Sequence, residues 1–163
     1  MHKNKNLIDG VSIFFATFFY VGYFPYGPGT AGTFVSMVLY FLFFHYLTFS
    51  GYIILCIVLF FAGMFFSSRA EKIIGKKDPS EVVIDEVEGY LITMLGAFWA
   101  PFSILYILIG FLLFRIFDII KPFPIGAADK RIGGGIGIML DDVIAAVISA
   151  VLLRLIIVII VGL

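Results

Sequence analysis

Six apolar runs, at residues 7–22, 31–49, 51–66, 82–100, 102–117 and 136–163, are separated by short polar junctions. Such runs leave few ways to fold. A backbone taken into hydrocarbon must satisfy its own hydrogen bonds, which favours helices. With 62% hydrophobic and 13% charged residues, the chain lies well outside the soluble range of roughly 45–50% apolar. Its mean hydropathy of +1.13 agrees. Residues 7–22 make a helix of about 24 Å against a hydrocarbon core of about 30 Å, and they run into Pro25, Gly27, Pro28 and Gly29. That segment is expected to lie in the interface or re-enter. The fold expected is an all-α integral membrane protein of about five transmembrane helices plus this short N-terminal helix, in one domain over residues 1–163.

The 20 Phe and eight Tyr suit lipid-facing and interfacial positions. A formal charge of zero gives no sign of a nucleic-acid partner. The single Cys56 excludes an intrachain disulfide and a cysteine metal site, and reads as a small buried hydrophobe. His45 stands among aromatics with no acid near it in sequence and reads as interfacial. Lys3 and Lys5 precede an apolar stretch as in a signal sequence, but Asp9 and Gly10 interrupt it, so the segment is expected to be retained. Arg69, Lys72, Lys76 and Lys77 make residues 67–81 the most basic connection. By the positive-inside tendency it is cytoplasmic. Arg115, Lys121, Lys130 and Arg131 put a second basic junction on the same side. The N-terminus is then inside and the C-terminus outside.

Four polar motifs reach that face. In residues 23–33 Thr30 is placed to cap a helix whose free amides suit an anion. The run from residue 82 opens with acids: Glu81, Asp85 and Glu88 share one helical face, with Glu86 turned about 100° away. Acids at a helix start compensate its dipole, but acids among apolar residues at membrane level cost several kcal/mol unless paired, hydrated or metal-bound. Arg115, Asp118 and Lys121 recur every three residues before Pro122 and Pro124 stop the helix. Asp141 and Asp142 open the last run after a loop with Gly133, Gly134, Gly135 and Gly137. Below them Ala145, Ala146 and Ser149 form a small face for close helix packing. Arg154 lies about 18 Å along that helix from Asp142 and snorkels outward.

Asp85, Glu86, Asp118, Asp141 and Asp142, without Cys or nearby His, make a hard-oxygen site that favours Mg2+ over zinc. Arg115, Lys121, the Thr30 helix start and Lys130 or Arg131 supply what a phosphate needs. Metal, phosphate donors and a membrane face together imply a phospholipid headgroup, hydrolysed with a metal-activated water since no protein nucleophile stands out. Spacing leaves open which acid holds metal and which takes a proton. An ion or proton transporter is the alternative, but it calls for acids near the bilayer midplane and a through-going polar path.

The blocks GPGTAGT (27–33), VVIDEVEG (82–89), FRIFDIIKPFPI (114–125) and GGIGIMLDDVIA (134–145) resemble, in order and spacing, the conserved blocks of the phosphatidylglycerophosphatase A family. The resemblance covers most of residues 7–150. It implies a Mg2+-dependent lipid phosphatase of the bacterial cytoplasmic (inner) membrane, multi-pass, with its site facing the cytoplasm. Such an enzyme removes the terminal phosphate of phosphatidylglycerophosphate to give phosphatidylglycerol. The motif positions carried over are Thr30, Arg115 and Lys121 on the substrate and Asp85, Glu86, Asp118, Asp141 and Asp142 in catalysis. Asp85, Glu86, Asp141 and Asp142 are the expected metal ligands. Two positions depart from the family's pattern. Lys77 precedes Asp78 where a His-Asp pair is frequent, and Glu88 stands where an apolar residue is usual. The paired His, the Cys–Arg phosphate loop and the Asp-Gly-Ala-Arg motif of other lipid-phosphate enzymes are missing.

Overall fold

A computed structural model describes residues 7–127 and 132–162. The residues expected to add positive charge at Lys3, Lys5, Lys130 and Arg131 lie outside that set. Among the described residues the chain is all helix and turn, with no strand. Six main helices follow in order: α1 Leu7–Ala16, α2 Pro28–Leu42, α3 Phe49–Ile74, α4 Ile84–Met94, α5 Ile104–Ile120 and α6 Gly134–Val161.

The helix ends explain where the expected boundaries moved. Thr30 is not the cap of α2. Gly27 holds that place at φ 72° and Pro28 fills the first helical position, where a missing N–H costs nothing, so Thr30 lies inside the first turn. Helix α3 does not stop at residue 66 but runs on to Ile74, because Ala70, Glu71 and Lys72 favour helix until Gly75 turns left-handed at φ 78°. The apolar run from residue 82 yields a helix of only 11 residues, closed by a 3-10 turn over Leu95–Ala97. The expected glycine loop is the first turn of α6: Gly133 caps it, and Asp141 and Asp142 sit about two turns inside. Gly135 is needed there because a Cβ would meet the Met64 carbonyl of α3.

Among the described residues only α3 and α6, with 26 and 28 residues, are long and apolar enough to cross a membrane. Just 17% and 28% of their most apolar windows are buried. The short α4 takes the centre instead and packs on α2, α3, α5 and α6. Its neighbours approach through small residues. Gly29, Gly32, Thr33, Ser36 and Tyr40 form the buried stripe of α2, and the Ser36 hydroxyl donates to the Val87 carbonyl at 2.7 Å. On α6 the small face expected at Ala145, Ala146 and Ser149 is fully buried. Tyr52 and Tyr90 each donate a hydroxyl to a backbone carbonyl, of Leu91 at 2.7 Å and Ile107 at 3.0 Å. Hydrogen bonds of this kind hold register in a bundle where apolar packing is non-directional.

Helix α1 lies along α3, tied by the Asp9–Arg69 ion pair at 2.9 Å. After it, Phe18, Phe19 and Tyr20 all take positive φ, a conformation costly for residues with a Cβ. The Phe19 amide donates to the Phe14 carbonyl at 2.8 Å, Tyr20 N–H donates to Thr17 Oγ1 at 3.2 Å, and Phe14 packs against the Phe19 and Tyr20 rings. The Val83 amide then donates to the Ala16 carbonyl at 3.0 Å. This fastens the aromatic turn to the start of α4.

Gly96 is where α4's exit touches α6, and any Cβ would strike the Ala150 carbonyl. Gly96→Ala should therefore destabilise by roughly 1–3 kcal/mol, seen as a lower thermal midpoint in detergent. Gly10→Ala, with nothing within 4 Å, should be neutral or slightly stabilising. Equal midpoints for the two variants would contradict the close α4–α6 contact.

Candidate functional site

Residues from four helices meet at the α4 start. Asp85 and Glu86 occupy its first turn. One carboxylate oxygen from each of Asp85, Glu86 and Asp142 lies within 4.8 Å of the others. Asp85 and Asp142 are only 8% and 3% exposed. Asp85 Oδ1, Glu86 Oε2 and Asp142 Oδ2 are buried without a hydrogen-bond partner. Adjacent residues 85 and 86 converge although they point about 100° apart on a helix, since in a first turn no preceding turn separates them. The face of Glu81, Asp85 and Glu88 does not form a site. Glu81 precedes the helix, and Glu88, 1% exposed, sits in the core within electrostatic reach of Cys56 on α3.

The cations come from the end of α5. Arg115 Nη1 lies 2.6 Å from Asp118 Oδ2, 3.9 Å from Glu86 Oε1 and 3.4 Å from Thr33 Oγ1. Asp118 thus fixes the guanidinium that faces Glu86, and it lies within hydrogen-bonding reach of Asp142. Lys121 is not on the helical face of Arg115 and Asp118. It is the left-handed C-cap of α5 at φ 44°, and from there its ammonium pairs with Asp141 on α6.

Two participants were not singled out in the sequence. At Gly29 a Cβ would overlap the Glu86 carboxylate and stand 3.2 Å from Arg115 Nη1. Thr33, one turn on, accepts from Arg115 and donates to the Gly29 carbonyl at 2.9 Å. The signal was the Gly29/Thr33 spacing of four, which places both on one face of α2. Thr30 points elsewhere: it is exposed and lines an apolar groove beside the aromatic turn. His45 lies apart, its Nδ1 3.0 Å from the Tyr40 carbonyl and its ring against Tyr46 and Phe102.

Among the described residues five carboxylates face two cations here. Burying carboxylates without compensation costs several kcal/mol each. The donor set is all oxygen, which fits a hard divalent cation and not a thiophilic one. Asp85, Glu86 and Asp142 supply the unpartnered oxygens for it. Arg115 and Lys121 flank them with the positive charge that a phosphate monoester requires.

The chain's similarities point the same way. The family profile described as phosphatidylglycerophosphatase A matches residues 14–157. A Bacteroides thetaiotaomicron protein provisionally named phosphatidylinositol-3-phosphatase is 33% identical over 86% of this chain and 90% of its own. The phosphatidylglycerophosphatases A of Escherichia coli and Haemophilus influenzae are each 33% identical, over 77% and 76% of this chain and 72% and 75% of theirs. No solved structure matches significantly. The match runs through all four helices that build the acid cluster and its cations, and on it this chain belongs to the phosphatidylglycerophosphatase A family of phosphatases.

Proposed function

We propose that this enzyme is a Mg2+-dependent lipid phosphatase that hydrolyses the terminal phosphate of phosphatidylglycerophosphate to phosphatidylglycerol at the cytoplasmic face of a bacterial inner membrane. The observation that carries the reading is the buried Asp85/Glu86/Asp142 cluster set against Arg115 and Lys121. Large apolar side chains exposed on α1, α2, α3, α5 and α6, among them Phe34, Phe61, Leu112 and Val151, support a lipid environment. On this reading α2 to α6 are the five spans, the shorter ones crossing as part of a bundle, and α1 lies at the interface.

Arg115 and Lys121 bind the phosphate oxygens. Asp118 is a positioning residue for Arg115, and Gly29 and Thr33 keep α2 close enough to cover it. Asp85, Glu86, Asp141 and Asp142 would hold the Mg2+, and Thr30 sits at the lipid side. When bound, the cation polarises the phosphoryl oxygens and activates water. Water supplies the new P–O bond, a carboxylate of the cluster takes its proton, and that proton passes to the glycerol oxygen as the old P–O bond breaks. Buried, preorganised charge serves this step better than solvated charge.

Purified protein in detergent should release phosphate from phosphatidylglycerophosphate with Mg2+ and stop in excess chelator. Phosphatidylinositol 3-phosphate, the substrate in one relative's name, should be turned over more slowly. A faster rate on the inositol lipid would reassign the headgroup. No release from any lipid monoester by folded protein would sink the phosphatase assignment of substrate and turn attention to ion flux.

Asp142→Asn and Asp85→Asn should each lower kcat by about 100-fold or more, in the range for losing one preorganised electrostatic group. Each should also raise the thermal midpoint in chelator, by relieving buried like charge, and abolish the midpoint rise on adding Mg2+. A Mg2+-induced rise as large as in the wild type would remove that residue from the metal site.

Lys121→Ala should raise KM about tenfold or more, the loss of one charge-assisted contact to phosphate. Unchanged kinetics across substrate concentrations would take Lys121 out of phosphate binding.

A further inference from the structure

Beside the acid cluster an apolar groove of about 720 Å3 opens on the outer surface, lined by Tyr20, Tyr23 and Phe24 of the aromatic turn, Thr30 and Phe34 of α2 and Phe111 of α5. Its volume lies within the roughly 300–1,000 Å3 of small-ligand sites. Its placement is the informative part. The first turns of α2 divide by face: Gly29 and Thr33 meet Glu86 and Arg115, while Thr30, Ala31, Phe34 and Val35 line the groove. Helix α5 divides along its length, Phe111 lining the groove one turn before Arg115. Groove and charged site therefore share the α2–α5 seam, about one helical turn apart. The groove's far wall is the segment from Tyr20 to Tyr26, which leaves the strained turn at Phe18, Phe19 and Tyr20 just after the Ala16–Val83 hydrogen bond to the start of α4. It is a formed wall, not a loose loop.

We propose that this groove seats an acyl chain of the phospholipid substrate next to the glycerol, so that chain binding sets the phosphate between Arg115 and Lys121. The proposal rests on the lipid-phosphatase reading and adds to it a site that selects for acylated substrates. An amphipathic ester needs an apolar channel continuous with a polar pocket, and the α2–α5 seam supplies that continuity. The tyrosines at the rim, Tyr20, Tyr23 and Tyr26, suit the glycerol-ester level, where an apolar ring with a polar tip is favoured.

The test compares dipalmitoyl phosphatidylglycerophosphate with its deacylated headgroup, glycerophosphoglycerophosphate, on wild type, Ala31→Trp and the outward-facing control Val151→Trp. The ratio of kcat/KM on the acylated to the deacylated substrate should fall about tenfold or more in Ala31→Trp, as expected from displacing a few methylenes. It should stay within about twofold in Val151→Trp, which lies on exposed α6 surface. An equal loss on both substrates would mean that the tryptophan disturbs the charged site, and an unchanged ratio that the groove is not used; either overturns the proposal. In a second measurement, phosphatidylglycerol with a mid-chain diazirine is photo-crosslinked to wild-type protein. Adducts should concentrate on residues 20–35 and Phe111. Adducts spread evenly over α3 and α6 would mark ordinary bulk lipid, and a dimer in detergent that Ala31→Trp dissociates would assign the groove to a second copy; both count against it. Crosslinking needs no turnover, so a protein inactive on every lipid ester fails the phosphatase reading while the adduct pattern still decides the groove.

Discussion

Three carboxylates held within 4.8 Å in a largely apolar bundle are the constraint on which the rest of this structure depends. Left alone they repel, and burial removes the water that would screen them. The fold does not avoid this cost but concentrates it. Acids arrive from α4 and α6 at one level, and the nearby cations are already committed: Arg115 to Asp118, Lys121 to Asp141. What stays uncompensated is an all-oxygen pocket, with one buried atom on each of Asp85, Glu86 and Asp142 that no protein group satisfies. A bundle of this size tolerates such a pocket when something binds it, which ties the stability of the α4–α6 contact to ligand binding.

The glycines and short side chains follow from the same need. Charges can meet only if the backbones carrying them come close. Gly29 lets α2 press onto the Glu86 carboxylate, Gly89 admits the edge of the Phe114 ring at 2.5 Å from where a Cβ would be, and Gly96 and Gly135 lie against backbone carbonyls of α6 and α3. Helix α4 is short because it is surrounded. A central element with Tyr90, Leu91, Met94 and Val87 all buried needs no length to be anchored. Its first turn is then free to carry Asp85 and Glu86 at the end of the bundle.

Much of this was legible in the sequence, for physical reasons that also mark its limits. Apolar runs ended by Pro and Gly gave six helices near their expected places, because lipid-grade hydrophobicity and helix stops are local signals. The acids and bases that converge at the start of α4 drew attention because such residues stand out in an apolar background. Side-chain direction was not local. Helical-face reasoning grouped Glu81 and Glu88 with Asp85, whereas the helix begins only at Ile84 and Glu88 turns into the core beside Cys56. Thr30 drew attention as a candidate cap of an anion-binding helix start, yet Gly29, with no side chain, is what touches Glu86. The continuation of α3 through Ala70 to Ile74 was hidden by its charges, which read as loop although each is a good helix former.

Glu88 shows how far the site's logic extends. It is as buried as any acid of the cluster, and its Oε2 has no hydrogen-bond partner, but two residues after Glu86 it is turned about 200° from the side chain that faces Arg115. Asp85 and Glu86 share their burial with Asp142 and Arg115, whereas Glu88 sits in the core near Cys56. Equal burial therefore carries different meaning at the two places. In the cluster the cost of burying charge is offset by convergence, and convergence is what makes chemistry available. Among the described residues Glu88 belongs to no group of three acids that could hold a metal ion. Position relative to the α5 helix end, more than acidity or depth, separates the buried acids of the cluster from Glu88.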